Sequence, residues 1–120
     1  MLTFEKVARQ GDLFIHRVAA LPEGLVPAVT DNGAFVLAHS ETGHNHVLME
    51  RPGVEVLEDP NEPLRAFLVI RQEAIDAGDI KIEHKRTFDT HETISPVTPG
   101  IYQITRQREY TPEGYRRAQD

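Results

Sequence analysis

His39, His44 and His46 fall in the stretch Ala38-His39-Ser40-Glu41-Thr42-Gly43-His44-Asn45-His46-Val47-Leu48-Met49-Glu50. The chain contains no cysteine, so imidazole is the strongest ligand it can offer a soft or borderline metal ion. Alternate side chains of a strand share a face, which points His44 and His46 the same way. A catalytic metal site needs about three protein ligands and an open position. His44 and His46, with one of His39, Glu50, His84 or His91, would supply them. Nitrogen and oxygen donors without sulfur suit a divalent transition metal: zinc, iron, manganese or nickel. No residue is singled out as a catalytic group, and the sequence leaves open whether the protein is an enzyme.

These ligands need elements to position them. A hairpin of strands 34–39 and 44–50 around Ser40-Glu41-Thr42-Gly43, a common loop length, sets 39 opposite 44, 37 opposite 46 and 35 opposite 48. Opposed residues share a face. His39, His44 and His46 then join Phe35, Leu37 and Leu48, with Glu50 continuing the face by parity. A one-residue slip would move His39 to the other face. Ile80-Lys81-Ile82-Glu83-His84-Lys85 alternates cleanly, which turns His84 inward with Ile80 and Ile82. The direction of His91, in Thr90-His91-Glu92-Thr93, cannot be read. His16 reads as a surface residue. Arg106, Arg108 and Tyr110 share a strand face and read as a solvated end, with an anion- or partner-binding edge as the functional alternative.

Further strands are expected at 12–18, 54–58, 64–70 and 101–109, with a helical turn over 73–78 closing on Gly78. Breakers separate them, among them Asp31-Asn32-Gly33, Arg51-Pro52-Gly53 and Thr98-Pro99-Gly100. Residues 1–10 read as an arm or a short helix and residues 111–120 as a tail. The 120 residues form one domain by length. The fold class is all-β: a small antiparallel barrel or sandwich, cupin- or jelly-roll-like, of six to eight short strands.

A formal charge of −6 argues against general nucleic-acid binding. No apolar run reaches membrane-spanning length, and no secretory leader is evident. A cytoplasmic protein is expected. Short strands leave edges to cover, so a homo-oligomer is expected too. Phosphate loops, dinucleotide fingerprints and nucleophile elbows are absent from the sequence.

Within these bounds His44-Asn45-His46-Val47-Leu48-Met49-Glu50 resembles the His-x-His-x-x-x-Glu core of the first cupin motif. The resemblance implies a small β-barrel in which His44, His46 and Glu50 bind a divalent metal. His91 or His84 would stand in for the histidine of the second motif. More loosely, Thr42-Gly43-His44-x-His46, His91, Pro99-Gly100-x-Tyr102 and Arg106-Gln107-Arg108-Glu109-Tyr110 resemble a set of small bacterial and phage proteins, a likeness that implies no activity. The leading expectation is a cupin-like metal binder acting on a small polar molecule. The alternative is a non-enzymatic structural or interaction protein, phage- or assembly-associated, whose histidines form a hydrogen-bonded cluster.

Overall fold

The computed structural model describes residues 1–38, 45–84, 93–106, 108–111 and 114–117, the last two segments as backbone alone. The strands, in chain order, are β1 (Leu2–Phe4), β2 (Val7–Gln10), β3 (Leu13–Val18), β4 (Val26–Pro27), β5 (Ala34–Ala38), β6 (His46–Met49) and β7 (Val54–Glu58). There follow β8 (Arg65–Ile70), helix α1 (Gln72–Ala77), β9 (Ile82–His84), β10 (Ile94–Pro96), β11 (Gly100–Arg106), β12 (Arg108–Thr111) and β13 (Gly114–Arg117). The all-β expectation holds, with more and shorter strands than the sequence suggested.

A five-stranded sheet runs β1-β10-β9-β6-β5 and a six-stranded sheet runs β2-β3-β11-β8-β7-β4. Among the described residues neither sheet closes on itself, the arrangement of a sandwich. Their inner faces supply one core. Phe35, Leu48, Ile82 and Ile94 come from the first sheet, and Leu13, Ile15, Val56, Leu68, Tyr102 and Ile104 from the second. Each such apolar side chain contributes about 1.5–3 kcal/mol on full burial. Strand pairing is antiparallel except for β1, which lies parallel to β10.

Residues 1–10 are not helical. Val7 to Gln10 pair antiparallel with His16 to Leu13, so sheet hydrogen bonds override the weak local preference of Glu5-Lys6-Val7-Ala8-Arg9-Gln10. The two-residue loop Gly11-Asp12 joins them. Gly11 has φ 58° while Asp12 keeps negative φ, the pattern of a type II′ hairpin with glycine first. Part of the C-terminal tail, Gly114–Arg117, is also strand. Arg108 lies opposite Arg117 and Tyr110 opposite Tyr115 in a separate two-stranded hairpin.

The hairpin of β5 and β6 keeps Phe35 opposite Leu48, but Ala38, not Leu37, lies opposite His46. The register shifts between Val36 and Ala38, a β-bulge that inserts one residue on β5. Helix α1 ends where the N–H of Gly78 reaches the carbonyls of Ala74 and Ile75. Its buried Ala74 covers the turn at Gly53.

Candidate functional site: a buried histidine cluster between the sheets

His46 on β6 and His84 on β9 lie directly opposite each other in register, and both face inward, 1% and 0% exposed. Their rings stack at 4.0 Å between centroids with 7° between planes. The alternation over Ile80, Ile82 and His84 holds: all three are buried. The pairing brings together two of the histidines singled out from sequence.

The six-stranded sheet supplies the partners. Gln10 ends β2 on its inner face and is buried, as is Asp12 in the loop that follows. Arg106 ends β11 in line with inward Tyr102 and Ile104, and its side chain is 9% exposed. Parity along β11 therefore carries a guanidinium into the gap between the sheets. Arg106 Nε and Nη2 donate to Asp12 Oδ2 at 3.3 and 3.2 Å. The solvated strand end expected for Arg106 is corrected here: Asp12, beside the register partner Leu13, draws it inside.

Asp12 Oδ1 lies 3.1 Å from His46 Nε2, and Gln10 Oε1 lies 2.9 Å from His46 Nδ1. The amide of Gln10 is oriented by its other end, because Nε2 donates to the buried carbonyl of Ile82 at 2.9 Å. The carbonyl oxygen thus faces His46. A carboxylate oxygen meets one ring nitrogen and an amide oxygen the other. Both nitrogens must donate, which makes the ring an imidazolium.

In this arrangement His46 has no lone pair to give a metal, so these described residues do not fit the metal that the cupin resemblance implies. Among the described residues no group of three or more His, Asp or Glu is arranged to hold a metal ion. Glu50 lies beyond β6 and is exposed, its N–H bonded to Gly33 O at 2.9 Å. His39, His44 and His91 lie outside the described residues. His16 is half-buried rather than a plain surface residue. It packs beside Phe14, ring centroids 5.4 Å apart.

Gln10, Asp12 and Arg106 are the members that the histidine pattern did not indicate. The Gly11-Asp12 pair was a turn signal in the sequence, obscured once residues 1–10 were read as an arm or helix. The arrangement cross-links two sheets through charge-assisted hydrogen bonds, each worth about 1.5–3 kcal/mol.

Residues 9–107 match the family model described as Domain of unknown function (DUF8820). No curated protein and no solved structure matches the chain.

Proposed function

The chain belongs to the DUF8820 family, and we propose that it is a non-enzymatic β-sandwich module whose buried histidines bind its two sheets together. The observation that carries this reading is the double engagement of His46 by Gln10 and Asp12. A ligand histidine needs one bare nitrogen, and a general base needs one that can accept a proton. An imidazolium locked on both sides serves neither role. What it does well is hold a carboxylate and an amide from one sheet against a strand of the other.

On this reading the protein acts through its surface. Strands β1 and β5 end one sheet, and β2 and β4 end the other. Such edges present unpaired backbone groups that a second strand can take up. Self-association in the cytoplasm, as a structural or assembly component, is part of the proposal. No helix among the described residues is long and apolar enough to cross a membrane.

A second reading keeps the divalent transition metal. It draws on the placement of His46 and His84 side by side, 4.0 Å apart. His44, His39, His91 or Glu50 would complete the shell, and His46 would have to leave Gln10 or Asp12. One experiment separates the two. Metal analysis of tag-free protein, followed by melting with added zinc, iron, manganese or nickel, should find little bound metal and no rise in Tm. Near-stoichiometric metal, lost in a His44→Ala/His46→Ala variant that stays folded, would establish the second reading instead.

A further inference from the structure

Among the described residues the sandwich ends on the edge strands β1, β5, β2 and β4, and all but β2 are blunted against a further strand. On β4 the N–H of Ala28 donates to the Val56 carbonyl at 2.8 Å. Val26 and Ala28 therefore face β7, and Pro27 between them faces outward with no N–H to offer. On β5 the outward residue Ala34 already exchanges both backbone bonds with Asp31, at 2.8 and 3.1 Å, and the bulge beyond it breaks the register. Strand β1 has 3 residues. The N–H of Leu2 donates to Thr93 and the carbonyl of Phe4 accepts from Val97, which leaves Thr3 alone facing out. Proline, bulges and shortness are the devices by which a sheet protects its edges.

Strand β2 has no proline and pairs with β3 without a shift of register. The N–H of Arg17 donates to the Lys6 carbonyl at 2.7 Å, and along an antiparallel ladder bonded residues alternate with unbonded ones. Lys6, Ala8 and Gln10 thus bond to β3, while Val7 and Arg9 turn N–H and C=O to the free side. Both side chains are exposed on the outer face, Val7 by 54%. The Arg9 guanidinium lies over the Phe14 ring, 5.6 Å from its centroid, which lays the arginine stem along that face.

We infer that β2 is the edge through which this protein self-associates, and that it takes β2 of a second copy, antiparallel about a two-fold axis at Ala8. The inference rests on the self-association proposed above. With the other sandwich edges blunted, a second copy has β2 to offer in return. Val7 and Arg9 flank Ala8, so the two-fold axis carries the outward groups of one strand onto those of the other. Val7 then lies opposite Arg9 of the second copy, and each such pair exchanges both backbone bonds. The arginine stem covers the exposed valine. The contact is isologous and closes at the dimer, joining the six-stranded sheets of the two copies into one.

Sedimentation of the full chain at rising concentration should show a dimer with a Kd on the order of 100 µM, a weak value in keeping with a small contact. Val7→Pro removes an outward N–H that β3 does not use, so the melting curve should be kept while dimerisation weakens at least about tenfold. Ala8→Cys gives a readout independent of the proline. Opposed residues of an unbonded pair lie about 4.5 Å apart between Cα atoms, within disulfide range, and the chain has no cysteine of its own. Under mild oxidation Ala8→Cys should cross-link to a dimer far faster than Val29→Cys, a position 88% exposed and outside β2. A dimer undiminished in folded Val7→Pro, or Ala8→Cys cross-linking no faster than Val29→Cys, would overturn this edge and leave self-association standing. A chain still monomeric at about 1 mM would overturn the edge and the proposed self-association together.

Discussion

The imidazole of His46 lies flat against that of His84, 4.0 Å away and 7° from parallel. Gln10 and Asp12 hold His46 from both sides, an acceptor at each ring nitrogen.

The state of the His46 ring is visible to nitrogen NMR. At neutral pH its side-chain spectrum should place both ring nitrogens at protonated positions. A neutral pattern for His46 would remove the charged cross-link from the account of the fold.

Replacing Asp12 tests the cluster from the other sheet. Asp12→Ala strands the Arg106 guanidinium and the His46 ring in the gap between sheets. Breaking one partner of a buried charged set costs about 3–5 kcal/mol, so the urea midpoint should fall steeply. An Asp12→Ala/His46→Ala double variant should lose less than the sum of the singles, because the two changes remove one shared interaction. Strict additivity would argue that the contact contributes nothing.

Tyr102 gives a dependence on pH. Its ring is fully buried and packs edge-on to Phe4, centroids 5.7 Å apart, while its hydroxyl donates to the carbonyl of Thr98. Burial pushes the phenol above its ordinary value, Glu5 adds to the rise, and nearby Arg17 opposes it. The folded state then holds a proton that the unfolded chain releases near pH 10. Stability from this group is therefore complete below about pH 10 and lost as pH rises through the folded value. Tyr102→Phe should flatten the alkaline limb of the stability curve measured by urea unfolding, at the expense of the Thr98 bond.

Gly53 tests the seat of α1. Its φ is 83°, and an added Cβ would stand 2.7 Å from Glu73 Cγ, 3.0 Å from Ala74 Cβ and 3.1 Å from the Ala74 backbone nitrogen. The side chain of Glu73 can swing away, but the helix backbone cannot. The left-handed conformation alone costs a non-glycine residue about 1–2 kcal/mol, so Gly53→Ala should lower Tm by several degrees for a domain of this size. An unchanged melting curve would show that the turn and helix give way freely.

The parts of this architecture readable in the sequence are those fixed by local pattern. Ile80, Ile82 and His84 alternate with charged residues, and all three are buried. Asn32 and Gly33 both take positive φ, as a two-residue hairpin turn requires. Phe35 met Leu48 as expected, but the bulge before Ala38 depends on tertiary fit that no turn rule encodes. The cluster was half legible for the same reason. His46 and His84 carry an obvious chemical type, whereas Gln10, Asp12 and Arg106 look like ordinary surface residues until distant strands assemble. Their inward direction follows from pairings of β2, β3 and β11 that hydrophobic periodicity does not reveal.

Asp12 and Arg106 are separated by 94 positions in the chain. A ribosome delivers the carboxylate 94 residues before its guanidinium, and β3 likewise waits for β11, which lies between it and β8. Until then Asp12 lacks its guanidinium partner and β3 lacks one of its two neighbours. Closure of the six-stranded sheet therefore follows synthesis of β11 and is governed by long-range contacts, and a nascent chain stalled before Arg106 would lack the strand that joins β3 to β8.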